Sequence, residues 1–190
     1  MVSEVGICNL ALTKNGEDSI TALTDNTKAG RLCNLHYAPS RDMVLRDHLW
    51  NFSIKRIALA VSTITPAYEY AYQHALPTDF IRAIDNDLIK NAEWKIEGEF
   101  LLSNDDTVIL KYVYKVTDTE IYDPLFVEAL SARIAAELAI PLTDSKTQSE
   151  LMFKLYSSKL ATARGVDAQE GTSEGFQADA WLDARYGYVS

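Results

Sequence analysis

The histidines are the residues whose type best suits metal binding or acid–base chemistry. His36 and His48 stand twelve positions apart, so on one unbroken helix they would lie about 18 Å and about 120° apart, too far to share a metal ion. His74 stands in a strand-like stretch that has no cluster of acidic ligands beside it. The sequence therefore favours a core or surface role for His74 and predicts no metal centre.

Carboxylates are the other residues that could do chemistry. Asp105-Asp106 follows Ser103-Asn104 between two predicted strands, which is more typical of a turn than of a metal site. A glycosidase needs two carboxylates on either side of a sugar bond, but among 27 acidic residues the sequence singles out no pair. No GxSxG, Walker-type or GxGxxG motif occurs. We predict neither an enzyme nor a cofactor-binding protein.

The charge of the chain bears on nucleic-acid binding. The 190 residues include 18 basic and 27 acidic ones, and the net charge of -9 has the wrong sign for gripping a phosphate backbone. The densest basic region surrounds Trp50 and Phe52 and consists of Arg31, Arg41, Arg46, Lys55 and Arg56. We interpret it as a solvated helix face with salt bridges to a neighbour rather than as a nucleic-acid contact.

The cysteines and the N-terminus indicate where the chain is made. Cys8 and Cys33 form neither a CxxC pair nor a disulfide framework, so we expect both to be reduced and buried. No stretch approaches the roughly 18 apolar residues of a membrane span. Met1-Val2-Ser3-Glu4 lacks the pattern of a signal peptide. We expect synthesis in the cytoplasm and no membrane partner.

Hydrophobic spacing predicts helices at the N-terminal end. The first spans Ser3 to Lys14 and stops at Asn15-Gly16. The apolar residues on its inner face are Ile7, Leu10 and Ala11. The second begins after the N-cap oxygens of Asp25-Asn26-Thr27 and continues towards Trp50, and Pro39 should kink or split it. Its apolar residues are Leu32, Leu35, Val44, Leu45 and Leu49.

From Asn51 the period changes to two, which predicts strands. The residues that alternate in this way are Tyr68, Tyr70 and Tyr72, then Trp94 and Ile96, Phe100 and Leu102, and Val108, Leu110, Tyr112, Tyr114 and Val116. Gly98 permits a hairpin turn, and Pro77-Thr78-Asp79 and Asp85-Asn86-Asp87 supply breaks. We predict one small antiparallel sheet of about four to six strands.

Two further helices follow the strands. Asp123 is an N-cap with Pro124 at the first helical position, and this helix should end at Pro141. Its apolar residues are Phe126, Leu130, Ile134 and Leu138. Thr143 or Asp144 should cap the next helix, which Gly165 should end. Its apolar stripe is Leu151, Leu155, Tyr156 and Leu160.

Together these elements predict an α+β fold. Residues 1–50 and 123–165 would form a helical bundle, 51–122 an inserted β-rich domain, and 166–190 an extended C-terminal docking tail. The tail carries -4 of the net charge, yet it contains four large aromatic residues, namely Phe176, Trp181, Tyr186 and Tyr188. Such side chains need a surface that covers them. Both the bundle of the same subunit and a neighbouring subunit or partner remain open as that surface.

Several stretches carry a family resemblance. In chain order they are Ile7-Cys8-Asn9-Leu10-Ala11-Leu12, Gly16-Glu17-Asp18-Ser19-Ile20, Ala29-Gly30-Arg31-Leu32-Cys33, His36-Tyr37, Arg41-Asp42, Leu49-Trp50-Asn51-Phe52-Ser53, Tyr72-Gln73, Leu76-Pro77-Thr78-Asp79 and Tyr122-Asp123-Pro124-Leu125-Phe126. In this order and spacing they resemble the tail tubular protein A family, the head-to-tail adaptors of short-tailed bacteriophages and related prophages. The resemblance covers residues 1 to about 165.

The resemblance implies a ring, commonly twelvefold, between the portal protein and the tail nozzle protein of the virion. DNA would pass through the central channel without sequence-specific binding. We expect the partner interfaces at Tyr68 and Tyr70 of the β-rich domain and at the four aromatic residues of the tail. Two other functions remain open: a virion-associated cell-wall hydrolase that uses paired carboxylates, and a head-completion or stopper protein of another phage lineage.

Overall fold

The computed structural model describes the backbone of residues 2–84 and 93–170, and the side chains of these residues up to Val166. This part of the chain has an α+β fold, as the sequence predicts. Its helices are α1 (Glu4–Lys14), α2 (Lys28–Asp47), α3 (Pro124–Thr143) and α4 (Lys146–Glu170), and its strands are β1 (Ile54–Leu59), β2 (Tyr72–Ala75), β3 (Phe80–Ala83), β4 (Trp94–Glu97), β5 (Phe100–Ser103) and β6 (Val108–Tyr114). None of these helices is long and apolar enough to cross a membrane.

Two helices begin at predicted caps. Thr27 Oγ1 accepts a hydrogen bond from the Gly30 amide at 3.0 Å at the start of α2. Asp123 Oδ1 accepts one from the Leu125 amide at 2.7 Å, and Pro124 is the first residue of α3. The predicted stop after α1 is also confirmed, because Asn15 is the C-cap and Gly16 follows it with a φ of 76°.

Helix α3 is the centre of the helical layer, because α1, α2 and α4 all pack against it. The predicted apolar spacing is confirmed, since Phe126, Leu130, Ile134 and Leu138 are fully buried. Small residues on the other sides of α3, such as Ala132, are buried as well. A helix that is apolar all round must be covered by neighbours on every side.

An aromatic cluster joins α3 to the segments that lead into and out of the strands. The ring of Phe126 lies 5.2 Å from that of Trp50, 5.2 Å from that of Phe52 and 4.7 Å from that of Tyr122. These edge-on and tilted contacts add to the area that the rings bury. Phe126 is therefore the side chain on which the junction between helices and strands depends.

The two cysteines are buried and free, as predicted. Cys8 belongs to α1 and Cys33 to α2, so they lie where the first two helices meet. A hydrogen bond with Cys33, together with burial, raises the pKa of the Cys8 thiol. Because the thiolate is the reactive form, Cys8 is an inert core residue.

The strands form two antiparallel sheets, in the orders β1-β6-β3 and β2-β5-β4. The predicted hairpin is confirmed as β4 and β5, which pair around Gly98 at a φ of 59°. In β6 the predicted inner face is buried at Val108, Leu110 and Tyr112. The prediction of a single sheet is wrong, because the described strands divide into these two three-stranded sheets.

The first sheet separates two cores. Val113 of β6 belongs to the same apolar cluster as the helices, whereas Leu110 and Tyr112 point to the other face and share a second cluster with Leu101 of β5. Alternate residues of a strand lie on opposite faces. The layers are therefore helices, then β1-β6-β3, then β2-β5-β4.

Some predicted helix positions are wrong. Leu10, Leu35 and Leu151 are exposed, because the face that meets α3 runs along other residues of their helices. Pro39 does not split α2, which is continuous around it. Proline removes the hydrogen bond to the carbonyl of Leu35, but Leu35 is 65% exposed, so water can replace that bond.

The predicted boundary between the last two helices also needs correction. Asp144 does not cap α4 but ends α3, with a left-handed φ of 53°, and α3 runs past Pro141. The cap of α4 is Ser145, whose Oγ accepts a hydrogen bond from the Gln148 amide. Gly165 does not stop α4, which continues to Glu170, so the segment predicted to be a docking tail begins within a helix.

Two helical glycines predict opposite responses to alanine. A Cβ atom on Gly165 would meet nothing within 4 Å, so Gly165→Ala should raise the free energy of unfolding by about 0.5–1 kcal/mol through helix propensity. A Cβ atom on Gly30 would lie 2.5 Å from the backbone oxygen of Asp25, so Gly30→Ala should lower it by about 1–3 kcal/mol. Urea unfolding of the two variants measures both changes, and changes of the same sign would contradict this packing.

Candidate functional site

The predicted interface residues fall into two groups. Tyr68 and Tyr70 lie in the connection between β1 and β2, within the described part of the chain. The four tail aromatics, Phe176, Trp181, Tyr186 and Tyr188, lie outside the described residues. The site that can be built from geometry is therefore the tyrosine loop, which we define as residues 66–70.

The tyrosine loop is not a strand, which corrects the prediction from alternating residues. The Tyr70 amide donates a hydrogen bond to the Tyr68 carbonyl at 2.9 Å, and Glu69 between them has a φ of 69°. This is a three-residue turn with its central residue in the left-handed region, which is strained for a side chain other than glycine. Strand pairing begins only at Tyr72, because Ala71 donates instead to Asn104 Oδ1.

The loop presents one tyrosine to solvent and builds a groove with the other. Tyr68 is 78% exposed. The groove has a volume of about 290 Å³ and is lined by the loop together with Gln73, Glu97, Phe100 and Leu102. A second groove of about 330 Å³, lined by residues 75–78, Phe80 and residues 98–100, meets the first at Phe100. The outer sheet thus offers a surface of mixed polar and aromatic residues on either side of its hairpin turn.

The electrostatics of the groove suit a protein partner better than DNA. Glu69 and Glu97 both line the groove. Glu97 also forms an ion pair within β4, in which its Oε1 lies 2.6 Å from Lys95 Nζ. The hydrogen bond that Lys95 donates to Glu97, together with the negative charge of Glu97, raises the pKa of Lys95. Two carboxylates beside tyrosines repel phosphates, whereas aromatic anchors with a polar rim are typical of protein interfaces.

His74 lies under this surface rather than in it. The residue is fully buried, and its Nε2 donates to the Asp105 carbonyl at 3.1 Å. The Asp105 amide in turn donates to Ser103 Oγ at 2.9 Å, which is the turn chemistry that the sequence predicts for this stretch. His74 therefore fastens β2 to the turn between β5 and β6. In the described ranges no group of three or more His, Cys, Asp and Glu side chains could hold a metal ion.

The interpretation of the basic region as a solvated helix face is wrong in part. Arg41 is buried and pairs with Asp42 at 2.8 Å, which also binds Lys115 of the strand region. Arg46 donates to the Ile81 carbonyl at 2.7 Å. These side chains join α2 to the first sheet within one subunit. Arg31 bonds Asn26, and Arg56 is exposed on β1.

One carboxylate holds the first sheet to the turn that follows β2. Asp79 accepts from Lys55 Nζ at 2.8 Å and from Tyr112 Oη at 2.9 Å, and Lys55 Nζ lies 3.6 Å from the centre of the Tyr114 ring. Burial acts to raise the pKa of Asp79, but the bonds from Lys55 and Tyr112 outweigh it and lower that pKa. Burial and the bond to Asp79 raise the pKa of Tyr112 to about 12.

These shifts predict how stability depends on pH. The folded pKa of Asp79 is depressed, so its contribution is present above the unfolded pKa of about 4 and is lost as the pH falls through the folded value. The folded pKa of Tyr112 is raised, so its contribution is complete below about pH 10 and is lost as the pH rises towards 12. Asp79→Asn should weaken both dependences in urea unfolding across pH. An unchanged acid limb would contradict the assignment to Asp79.

No family model matches this chain, and no curated protein does. Function must therefore be argued from the chain itself. Sequence reasoning found the two tyrosines of the groove but missed Glu69, Glu97 and Phe100. The sequence signal for Glu97 and Phe100 was the hairpin around Gly98, because the residues that flank this turn lie together at one end of the sheet. The sequence does not reveal that β5 also pairs with β2, which brings these residues to the tyrosine loop.

Proposed function

We propose that the protein is a structural virion component, a head-to-tail adaptor that forms a ring between the portal and the tail nozzle. The observation that carries this proposal is the exposed, strained tyrosine loop on the outer sheet, separated from the helices by the first sheet. A protein that joins two partners needs two contact surfaces on different sides. The helical layer and the tyrosine loop supply them, and the order of the family-like motifs supports the same function.

In this proposal the helices form a helical bundle and residues 51–122 form an inserted β-rich domain that meets the nozzle. The ring, with about twelve copies at -9 each, surrounds the DNA channel at the head–tail junction. Acidic walls repel a phosphate backbone, so the DNA slides through without sequence-specific binding. The protein is made in the host cytoplasm and acts in the virion.

The C-terminal segment is the proposed contact with the portal or with the next subunit. Its aromatic residues Phe176, Trp181, Tyr186 and Tyr188 are the anchors, because large aromatic side chains contribute most to interfaces. Helix α4 leads into this segment, since the helix continues to Glu170.

Truncation tests the role of this segment. A chain that ends after Glu170 keeps the core helices and should remain folded, with a melting temperature close to that of the full chain, but should not join the portal. Co-sedimentation with a portal ring measures binding, and circular dichroism controls for folding. A fourfold Ser variant of the tail aromatics in the full chain should behave in the same way. Normal assembly of the truncated chain would contradict the proposed contact.

The groove gives the hydrolase a specific observation in its favour, because Glu69 and Glu97 line the same cavity beside two tyrosines. Against it, Glu97 is half-exposed and already paired with Lys95, whereas a general acid needs surroundings that keep it protonated. An assay on purified cell wall with the protein and its Glu69→Gln and Glu97→Gln variants separates the two functions. Turnover that both substitutions abolish would favour the hydrolase. A stopper protein would instead bind the portal without binding the nozzle.

A further inference from the structure

The first sheet carries a concentration of arginines where it meets the ends of α2 and α4. We define this basic face as Arg46 of α2, Arg56 of β1, Arg82 of β3 and Arg164 of α4. We propose that in the free subunit residues 171–190 bind the basic face of the same chain. The inference goes beyond ring formation, because it concerns the subunit before it meets any partner.

The strand register brings Arg56 and Arg82 to one side of the sheet. Arg56 lies opposite Lys111, and Arg82 lies opposite Val113, which is two residues further along β6. Residues two apart on a strand share a face, so Arg56, Lys111 and Arg82 point to the same side. With one strand between them, the Cα atoms of Arg56 and Arg82 lie about 12 Å apart.

The helices add two more guanidinium groups at the edge of this face. Arg46 Nη1 bonds the Ile81 carbonyl, next to Arg82 in the chain, and Arg164 Nη2 bonds the Asp47 carbonyl at 3.0 Å. Burial and the charges of Arg46 and Arg164 lower the pKa of Arg82, which the nearby Asp47 only partly offsets. The carboxylate of Asp47 also accepts a hydrogen bond from Tyr156. Among the described charges that act on Arg82, two are therefore positive and one is negative, in a chain whose net charge is -9.

The basic face continues into exposed apolar surface. Ala58 and Ile109 are paired in the register and follow Arg56 and Lys111 on the same side of the sheet. Ile109 is 42% exposed. A binding segment that matches this surface combines acidic side chains with apolar or aromatic ones, because arginine both pairs with carboxylates and stacks on aromatic rings.

Residues 171–190 have this combination. They contain three acidic residues against the single Arg185, together with Phe176, Trp181, Tyr186 and Tyr188. Helix α4 ends six residues after Arg164, so about 9 Å along the helix axis separates this arginine from the end of the helix. A short connection gives an effective concentration in the millimolar range, which favours the same chain over a second copy.

Hydrogen–deuterium exchange of the full chain, read by mass spectrometry on peptides from 171–190, tests the proposal. We expect these amides to exchange at least about tenfold more slowly than their intrinsic rate. The protection should be the same over about a hundredfold range of protein concentration, because the contact is intramolecular. It should be lost in about 1 M NaCl, where the Debye length falls to about 3 Å.

The variant Arg56→Glu/Arg82→Glu should remove the protection, with the fold checked by exchange in α3. Lys28→Glu/Arg31→Glu makes the same change of charge at the opposite end of α2 and should leave it intact. Because Arg82 is partly buried, Arg56→Glu alone serves as a second variant and should reduce the protection. Exchange at the intrinsic rate in the native protein would overturn the proposal. Protection that rises with protein concentration would assign the segment to a second copy of the chain and would also overturn the proposal. Ring formation on a portal is tested separately, by its own experiment.

Discussion

Replacing Phe126 with alanine should lower the free energy of unfolding by about 3–5 kcal/mol. The side chain is fully buried, and its ring contacts those of Trp50, Phe52 and Tyr122, which come from both sides of the strand region. Removing the ring leaves a cavity where the helices meet these segments, and rigid elements on every side limit how far it can collapse. Urea unfolding followed by circular dichroism and by tryptophan fluorescence measures the loss.

The matched control is Phe153→Ala on α4. Phe153 is 49% exposed, although its ring lies 5.9 Å from that of Tyr156 and near Arg133. Its removal should cost about 1 kcal/mol or less, because little apolar area leaves contact with the core. Equal losses for the two variants would contradict the position of Phe126 at the centre of the core.

If the proposed adaptor function is right, replacing Tyr68 and Tyr70 with serine should weaken binding to a nozzle protein at least about a hundredfold while leaving the fold intact. Tyr68 is mostly exposed and Tyr70 lines the groove, so neither contributes to the buried clusters of the described residues. Hot-spot residues, among which tyrosine is enriched, each cost about 2 kcal/mol or more when they are truncated. Binding of the purified nozzle protein to portal-bound adaptor, measured by surface plasmon resonance, gives the change.

Leu35→Ser is the control for this experiment, because Leu35 is also exposed, at 65%, but lies on α2, in the helical layer. It should leave nozzle binding unchanged. A second variant, Glu69→Gly, removes the strained backbone without removing a tyrosine, and should weaken binding less than the double serine variant. Full nozzle binding by the double serine variant would remove the tyrosine loop from the proposed interface.

The part of the fold that the sequence predicts best is α3. Its cap, its first-turn proline and its apolar spacing all act within a few residues, and the structure confirms each. The hairpin around Gly98 is local in the same way. The start of α4 is harder to predict, because Thr143, Asp144 and Ser145 are all good caps. Only the left-handed φ of Asp144 decides between them.

The sheets were harder, because strand pairing joins distant residues. Ile54 pairs with Val113 and Tyr72 with Ser103, and nothing in the alternation of each strand specifies its partner. At Tyr68 and Tyr70 the alternation itself was misleading. Their spacing fits a strand, but the hydrogen bond across Glu69 bends the backbone out of the extended region.

The candidate site was only half predictable for the same reason. The tyrosines are visible as an unusual run of aromatic residues, but the groove exists only because β5 brings Phe100 and Leu102 beneath the loop. The basic region shows the reverse case. Neighbouring positive residues suggested one solvated face, but Arg41 faces the interior and pairs with Asp42, while Arg56 is exposed on β1.

The mass of the purified protein, alone and after mixing with a candidate portal ring, tests the adaptor proposal most directly. Native mass spectrometry or mass photometry should give a monomer or small oligomer for the protein alone. On the portal it should give a stoichiometric ring, with about one copy per portal subunit if the ring is twelvefold. A protein that stays monomeric and has no affinity for the portal would contradict the adaptor function.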